Sequence, residues 1–224
     1  SLMNNDIITV VGDLGGCTAT SSNIQMEVFA SPTTTLTNND NGDNTICYGT
    51  SVTFTANGAA TYEFFVDGTS QGPASATNTF TTTTLTNGQT IRVDGISNSC
   101  LVSQQQTFTV LVNPTVNLFS NDTDNTICDG DPITFTGTNA SQYEFFINGV
   151  SVQGPSTTTT LVNPSIPVSA INPVYVIGTA SNGCTNTSST INVVVNPIPT
   201  ITLTSNDADN IICAGQPVTF TGAG

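Results

Sequence analysis

The sequence has almost no positive charge. Its 224 residues include 15 acidic side chains but only one basic side chain, Arg92, and the formal net charge at pH 7 is -14. Nucleic-acid binding requires Lys and Arg side chains that displace counterions from the phosphates, and an anionic membrane surface attracts basic segments for the same electrostatic reason. The charge balance therefore excludes both kinds of partner.

His, Lys and Trp are absent. Without them the chain has no imidazole or amine to act as a general base, form a Schiff base or bind zinc, and Lys–Asn isopeptide crosslinks are excluded as well. Two carboxylates can hydrolyse a glycoside, but Glu27, Glu63 and Glu144 recur on strands rather than in one site. We therefore expect no enzymatic activity.

Long hydrophobic runs are also missing. No apolar stretch is long enough to cross a bilayer, and the first residues do not form a signal peptide, so we expect no membrane insertion in this stretch. The chain has six cysteines, without C-x-x-C spacing, among many Thr, Asn and Ser residues. This composition is typical of an oxidising environment and predicts an extracellular location at the cell surface.

What the sequence does contain is a repeated cassette of Asp and Asn that ends in cysteine. It reads NDNGDNTIC at 39–47, NDTDNTIC at 121–128 and NDADNIIC at 206–213, so the repeat is a small domain of about 83 residues. Steps that contain Pro follow the last strand of each repeat and mark the joints. Because neither end of the sequence is a domain boundary, we expect a section of a longer array. The predicted divisions are an incomplete repeat at 1–31, complete repeats at 32–113 and 114–197, and an incomplete repeat at 198–224.

Apolar and polar residues alternate within each repeat, which is the period of a half-buried strand, and no segment shows helical periodicity. Gly, Asn and Pro turn signals separate the strands. Six or seven short strands in about 83 residues predict an all-β fold, a tandem of immunoglobulin-like β-sandwich modules. In the first complete repeat, the predicted strands are 33–38, 51–56, 61–67, 77–85, 90–96 and 106–112.

The segment YEFF occurs in both complete repeats. We expect its alternating side chains to anchor the core, in place of the buried Trp that is typical of immunoglobulin domains. The second aromatic residue, Phe65 or Phe146, points to the opposite face. We expect a loop or bulge to cover it, and the alternative is a residue that faces a ligand or another module. The predicted core anchors are Tyr62, Phe64, Val66, Tyr143, Phe145 and Ile147.

Together these motifs resemble a known type of repeat. The combination of D-N-x-I-C-x-G-x-x-[VI]-T-F-T, Y-E-F-F-[VI]-[DN]-G, a later cysteine and a terminal V-N-P runs through essentially the whole chain. It resembles the immunoglobulin-like or PKD-like repeats of very large Bacteroidota surface proteins, similar to gliding-motility adhesins exported by the type 9 system. The resemblance implies secretion, outer-membrane anchoring through a C-terminal sorting domain outside this sequence, and repeats without enzymatic activity.

The cassettes concentrate six of the 15 acidic residues, and two interpretations are open. Carboxylates two or three residues apart, with Asn carbonyls between them, are ligands that calcium requires. Asp and Asn are also common turn formers, because their side chains bind nearby backbone amides. No other cofactor is expected. The candidate calcium ligands are Asp40, Asp43, Asp122, Asp124, Asp207 and Asp209.

Each repeat has an early cysteine, at the end of the cassette, and a late cysteine near its final hairpin. One scheme forms the disulfides within modules, as Cys47–Cys100 and Cys128–Cys184, and leaves Cys17 and Cys213 to pair outside this sequence. The other crosses the joints and pairs each late cysteine with the next early one. We expect the within-module scheme, since a disulfide requires Cα atoms within about 7 Å and the late cysteine should lie far from the following module.

Two functions from different classes fit these features. The first, which we favour, is a non-catalytic stalk of a large adhesin, whose partners are neighbouring repeats and a surface or glycan ligand at a distal tip. The second is a carbohydrate-binding array on a secreted polysaccharide-degrading enzyme. Sugar sites usually present an exposed aromatic platform, whereas Trp is absent here and the aromatic residues fall mostly at core positions. The sequence identifies no ligand-binding residue.

Overall fold

The regular structure of the protein is made of β-strands. The computed structural model describes residues 1–40, 42–162 and 164–224, and in these ranges all regular elements are strands. The predicted all-β fold is therefore confirmed. No described helix could span a membrane. Asn41, which belongs to the first cassette, lies outside the described residues.

The chain divides into two compact units, Ser1–Val112 and Asn113–Gly224, and each is described by itself. The first unit contains the segment 1–31 and, except for Asn113, the first complete repeat, called module 1 below. The second unit contains the second complete repeat, called module 2, and the segment 198–224. For the comparison of the two modules we keep the predicted bounds, 32–113 and 114–197.

The segment 1–31 forms two short antiparallel pairs, in which β1 pairs with β4 and β2 pairs with β3. Most of its larger apolar side chains, among them Leu14 and Ile24, are exposed. The strands are β1 Ile7–Ile8, β2 Val11–Leu14, β3 Cys17–Thr20 and β4 Ile24–Gln25.

Module 1 is a sandwich of two antiparallel sheets. One sheet has the order β10-β7-β5 and the other β12-β11-β8-β9, and the cassette strand β6 pairs in parallel with the last strand, β13. The strands are β5 Thr35–Asn38, β6 Thr45–Cys47, β7 Val52–Asn57, β8 Thr61–Val66, β9 Thr69–Ser70, β10 Thr79–Thr82, β11 Thr90–Ser97, β12 Cys100–Thr107 and β13 Thr109–Leu111.

Module 2 repeats this plan. One sheet has the order β14-β16-β19 and the other β15-β22-β20-β17-β18, with β21 paired to β20; here too the cassette strand, β15, lies parallel to the last strand, β22. The segment 198–224 contributes one antiparallel pair, β23 with β24. The strands are β14 Asn117–Ser120, β15 Thr126–Cys128, β16 Thr134–Thr138, β17 Gln142–Ile147, β18 Val150–Ser156, β19 Thr160–Val162, β20 Ser169–Thr179, β21 Thr185–Thr187, β22 Ile191–Asn196, β23 Thr202–Ser205 and β24 Phe220–Ala223.

Each module buries its own core between its two sheets. The core of module 1 is centred on Phe54 and Phe108, whose rings meet edge to face with centroids 5.4 Å apart. Module 2 is centred on Phe135 and Phe145, both fully buried. Each core contains residues of its own module alone, which is the arrangement expected of an independently stable domain.

The YEFF segments supply core anchors, as predicted. Tyr62, Phe64, Tyr143, Phe145 and Ile147 are buried, while Val66 is half-buried and packs against the core. The hydroxyl of each buried tyrosine accepts a hydrogen bond from a backbone amide three residues earlier and donates one to the carbonyl of that same residue. The polar end of the ring is thereby satisfied inside the sandwich.

Candidate functional site

The outward-facing aromatic residue of module 1 is covered by the only basic side chain of the protein. Phe65 on β8 lies opposite Arg92 on β11, and the guanidinium carbon of Arg92 lies 4.0 Å from the centre of the Phe65 ring. This distance is well within the range of a cation–π interaction. Arg92 is therefore placed by the sheet register and is only one third exposed.

The same guanidinium holds a buried carboxylate. Arg92 Nη1 donates to both carboxylate oxygens of Asp94, at 2.8 and 2.9 Å, and the Ser103 hydroxyl donates to Asp94 Oδ1 at 2.7 Å. The Asp94 side chain is only 8% exposed. Asp94 lies on the central strand β11, in a charged network that only the strand register reveals.

In module 2 the equivalent position carries a second aromatic ring. Phe146 on β17 lies opposite Tyr175 on β20, and the two rings stack with centroids 4.9 Å apart and an angle of 5° between their planes. Both residues are half-buried. The cover expected from a loop or bulge therefore comes from side chains on the neighbouring strand: Arg92 in module 1 and Tyr175 in module 2.

The strand glutamates make the same local contact in both modules. Glu63 accepts a hydrogen bond from the Ser70 hydroxyl, and Glu144 accepts one from the Ser151 hydroxyl, each at 2.7 Å. Each bond ties a strand of the larger sheet to its edge strand. These carboxylates therefore serve the sheet, and the two contacts lie in different modules.

The cassettes form turns in which the second Asp accepts a hydrogen bond from the backbone. Asp43 Oδ1 accepts from the Thr45 amide at 2.9 Å, and Asp124 Oδ1 accepts from the Thr126 amide at 3.0 Å. In the third cassette Asp209 does the same with the amide two residues on. The Asn between donor and acceptor has positive φ in every cassette, 54° to 57°, a conformation that Asn tolerates better than most residues.

The first Asp of each cassette also lies within the turn. Asp122 Oδ1 accepts from the Thr126 amide at 3.2 Å, and the Asp40 amide donates to the Asn38 side chain at 2.8 Å. Asp207 accepts a hydrogen bond from the Asp209 amide. The hydrogen bond with the Asp209 side chain is the largest cause that lowers the pKa of Asp207 below its usual value, and hydrogen bonds from backbone amides add to it. Because the Asp207 carboxylate is exposed to solvent, the lowered pKa contributes little to the stability of the fold.

The described parts of the chain contain no group of three or more Asp, Glu, Cys or His side chains arranged to hold a metal ion. The cassette geometry thus supports the interpretation as turns. Calcium binding at the six cassette carboxylates stays a prediction, and an experiment that separates the two is given in the Discussion.

The structure forms neither predicted within-module disulfide. Cys47 and Cys184 are each disulfide-bonded, whereas Cys100 and Cys128 are free thiols. Cys17 and Cys213 are free as well, so the joint-crossing pairs considered above are also absent.

The physical reason is that the two cysteines of one module lie at opposite poles. In the strand pairing of β6 with β13, Cys47 lies opposite Leu111 at the end of the last strand, while Cys100 begins β12, eleven residues before Leu111. An extended chain of that length spans about 35 Å, far beyond the roughly 7 Å that a disulfide allows. In module 2 the early cysteine, Cys128, lies opposite Asn196 in the pairing of β15 with β22, and Asn196 comes twelve residues after Cys184.

The late cysteines lie at the pole at which each module begins, far from the following module as expected from the sequence. The sulfur of Cys100 lies 4.0 Å from the carbonyl oxygen of Phe29, just before module 1. In module 2 the Asn186 side chain, two residues after Cys184, donates to the Pro114 carbonyl at 3.0 Å. The parallel pairing of the cassette strand with the last strand places the early cysteine at the opposite pole, and no local pattern in the sequence indicates that pairing.

Comparison with known proteins supports an immunoglobulin-like domain. Residues 30–114 match the family model described as "Ig-like domain CHU_C associated". A search of curated proteins found no match. Among solved structures, fibronectin(III)-like modules of Clostridium thermocellum CbhA are 12% identical, with a TM-score of 0.39, and the match covers 73% of this chain and 95% of that one.

Two further solved structures are also similar. Murine CEACAM1b is 11% identical with a TM-score of 0.33, covering 72% of this chain and 99% of that one. Sidekick-1 immunoglobulin domains 1-4 are 16% identical with a TM-score of 0.28, covering 73% and 48%. At these scores the likeness carries no functional argument. The chain contains an immunoglobulin-like domain in module 1, and module 2 has the same plan of strands.

Proposed function

We propose that this chain is a non-catalytic, extracellular repeat segment that acts as a stalk in a large cell-surface adhesin. The observation that carries the proposal is the use of the polar side chains. The sole basic residue, Arg92, binds Asp94 and Phe65, and Glu63 and Glu144 bind edge-strand serines. In all three cassettes the second Asp accepts a backbone amide. Side chains that could do chemistry maintain the fold instead.

The repetition of the two modules supports the same role. Both preserve the buried YEFF segment, the tyrosine hydrogen bonds and the cassette turn, whereas their outward-facing pairs differ. A unit that has only to fold and to be joined to its neighbours keeps its core and varies its surface. The partners of such a segment are neighbouring repeats, and a surface or glycan ligand is bound at a distal tip.

A location at the outer surface of the cell fits the composition. A net charge of -14 keeps a long array soluble. Trypsin-like proteases need Lys or Arg, and the only such residue is held on the central strand β11. The resemblance to gliding-motility adhesins extends the proposal to export by the type 9 system and a function in motility.

Exchange of the two modules in the intact surface protein tests the proposal. Residues 32–197 are replaced by two unrelated immunoglobulin-like modules, and adhesion and gliding are measured on cells whose surface display is verified by antibody labelling without permeabilisation. A stalk predicts that both activities are retained. Loss of adhesion with normal display would show that these modules bind the ligand themselves.

The carbohydrate-binding alternative rests on one observation, the stacked Phe146 and Tyr175 on the outer face of module 2. Aromatic rings on such a face can pack against a sugar ring. A glycan array with the wild-type chain, a Phe146→Ala/Tyr175→Ala variant and a Phe65→Ala control tests it. Micromolar binding that is lost only in the module 2 variant would favour the alternative; we expect weak binding or none.

A further inference from the structure

Cys100 and Cys128 are free thiols at positions whose counterparts in the other module are disulfide-bonded. Cys128 closes the cassette strand of module 2 opposite Asn196, as Cys47 closes that of module 1 opposite Leu111. Cys47 is disulfide-bonded and Cys128 is free. The same backbone position therefore carries a bonded cysteine in one module and an unbonded one in the next.

The late cysteines show the reverse arrangement. Cys100 follows β11 at the turn into β12, and Cys184 follows β20 at the turn into β21. Cys184 is disulfide-bonded and fully buried, whereas Cys100 is free and half-exposed. Module 1 thus has its free cysteine at the pole where the module begins, and module 2 has its free cysteine at the pole where the module ends.

We propose that Cys100 and Cys128 are crosslinking positions for further repeats of the same kind. Cys128 pairs with the late cysteine of a repeat that follows module 2, and Cys100 pairs with the early cysteine of a repeat that precedes module 1. Cys128 lies at the pole where module 2 ends, and the late cysteine of a repeat lies at the pole where that repeat begins. A disulfide between Cys128 and the late cysteine of the next repeat would therefore stiffen the joint between them.

The chemistry requires an oxidant, because two thiols lose two protons and two electrons when a disulfide forms. A small-molecule disulfide such as oxidised glutathione supplies it by two exchange steps. The Cys128 thiolate attacks one glutathione sulfur and releases a glutathione thiolate, which takes up a proton. The thiolate of the late cysteine then attacks Cys128 in the mixed disulfide and releases the second glutathione.

An extended chain tests the proposal directly. Residues 1–196 are followed by residues 32–224, so that the new joint, Asn196–Pro32, has the same Asn–Pro pair as the natural joint at 113–114. Cys17, Cys213, the first copy of Cys100 and the second copy of Cys128 are changed to Ser. The first copy of Cys128 and the second copy of Cys100 then remain as the only free pair. Each module carries a core of its own residues, and circular dichroism verifies that the extended chain folds.

After refolding with oxidised glutathione, peptic digestion without reduction should give one peptide that links Cys128 to Cys100, and thiol titration should find no free thiol. Moving the thiol two residues along the same strand, by Thr126→Cys with Cys128→Ser, should lower the linked fraction at least tenfold. The proposal is wrong if both thiols stay free in a folded extended chain in which Cys47 and Cys184 are oxidised, or if the displaced thiol crosslinks equally well.

A second measurement uses the 224-residue chain itself. Iodoacetamide without reductant should modify Cys100 and Cys128 but not Cys47 or Cys184, as the structure requires. Protection of Cys100 or Cys128 in this chain would contradict the proposal, because both would already have a partner. The proposal does not depend on an adhesive role, which the module-exchange experiment tests separately.

Discussion

Modules 1 and 2 share a core but differ at the edge and on the outer face of the larger sheet. In module 1 the edge strand β9 has two residues, and the chain leaves the sheet after Gln71 and returns at Ser75, opposite Tyr62. In module 2 the edge strand β18 follows β17 over seven residues, with register shifts. As a result, module 1 has an open groove lined by Phe64, Phe80 and neighbouring residues.

The outer faces differ in chemistry as well as in shape. Arg92 covers Phe65 in module 1, whereas Tyr175 stacks on Phe146 at the same register in module 2. The buried tyrosine and the cassette turn, in contrast, are the same in both modules. The two modules therefore differ at surface positions and agree at positions where a change would disturb the packing. The predictions below test that division, starting with the largest expected effect.

Removal of the central core ring should destabilise both modules about equally. Phe54→Ala in module 1 and Phe135→Ala in module 2 each delete a fully buried ring at the same position of the sandwich. Such substitutions cost roughly 3–5 kcal/mol through lost burial and the cavity left behind. Urea unfolding of the chain measures the effect. A cost below about 1 kcal/mol in only one module would show that its core is not equivalent to that of the other.

A glycine on each central strand should also resist change in both modules. A Cβ added to Gly178 would lie 2.6 Å from Val116 and 2.7 Å from Ala140, and one added to Gly95 would clash with Thr34 and Ala59. We expect Gly95→Ala and Gly178→Ala each to destabilise by about 1–3 kcal/mol through overpacking.

The matched control for these substitutions is Gly154→Ala. Gly154 lies on the edge strand β18, and a Cβ there would meet nothing within 4 Å. The free energy of unfolding of this variant should stay within about 0.5 kcal/mol of the wild-type value. Equal losses in all three variants would show that close packing around Gly95 and Gly178 does not explain the effect.

The repeat, the strand alternation and the buried YEFF faces could be predicted from the sequence because each depends on local spacing. Tyr62 and Phe145 lie in the core for that reason. The pole of the late cysteine could also be predicted, but that of the early cysteine could not, since it depends on the parallel strand pairing that sets Cys47 opposite Leu111, more than 60 residues away. The contact between Arg92 and Phe65 likewise depends on the register of two strands.

Breaking the Arg92–Asp94 ion pair, which only module 1 has, should destabilise the protein less than the core substitutions. Arg92→Leu removes the cation–π contact and leaves the buried Asp94 with Ser103 as its remaining partner in this network. An unpaired buried charge is costly, so we expect a loss of about 1–3 kcal/mol. A double-mutant cycle with Asp94→Leu measures the coupling, and we expect the double variant to recover much of the stability. No recovery would mean that the aromatic contact, and not the ion pair, accounts for the loss.

The smallest effect is expected at the cassettes, and it separates turn formation from calcium binding. Asp124 Oδ1 accepts the Thr126 amide, and an Asn side chain at this position keeps an oxygen that can do the same, whereas Ala does not. If the cassette acts only as a turn, Asp124→Ala should cost about 0.5–1.5 kcal/mol and Asp124→Asn much less, with melting temperatures independent of calcium and of chelator.

If calcium binds, the wild-type melting temperature should rise with calcium by mass action, and Asp122→Asn/Asp124→Asn should abolish the rise for module 2 alone. Module 1 keeps Asp40 and Asp43 in that variant and serves as the internal control. Because both carboxylates of the module 2 cassette, Asp122 and Asp124, already accept a backbone amide in the structure, we expect melting temperatures that do not depend on calcium.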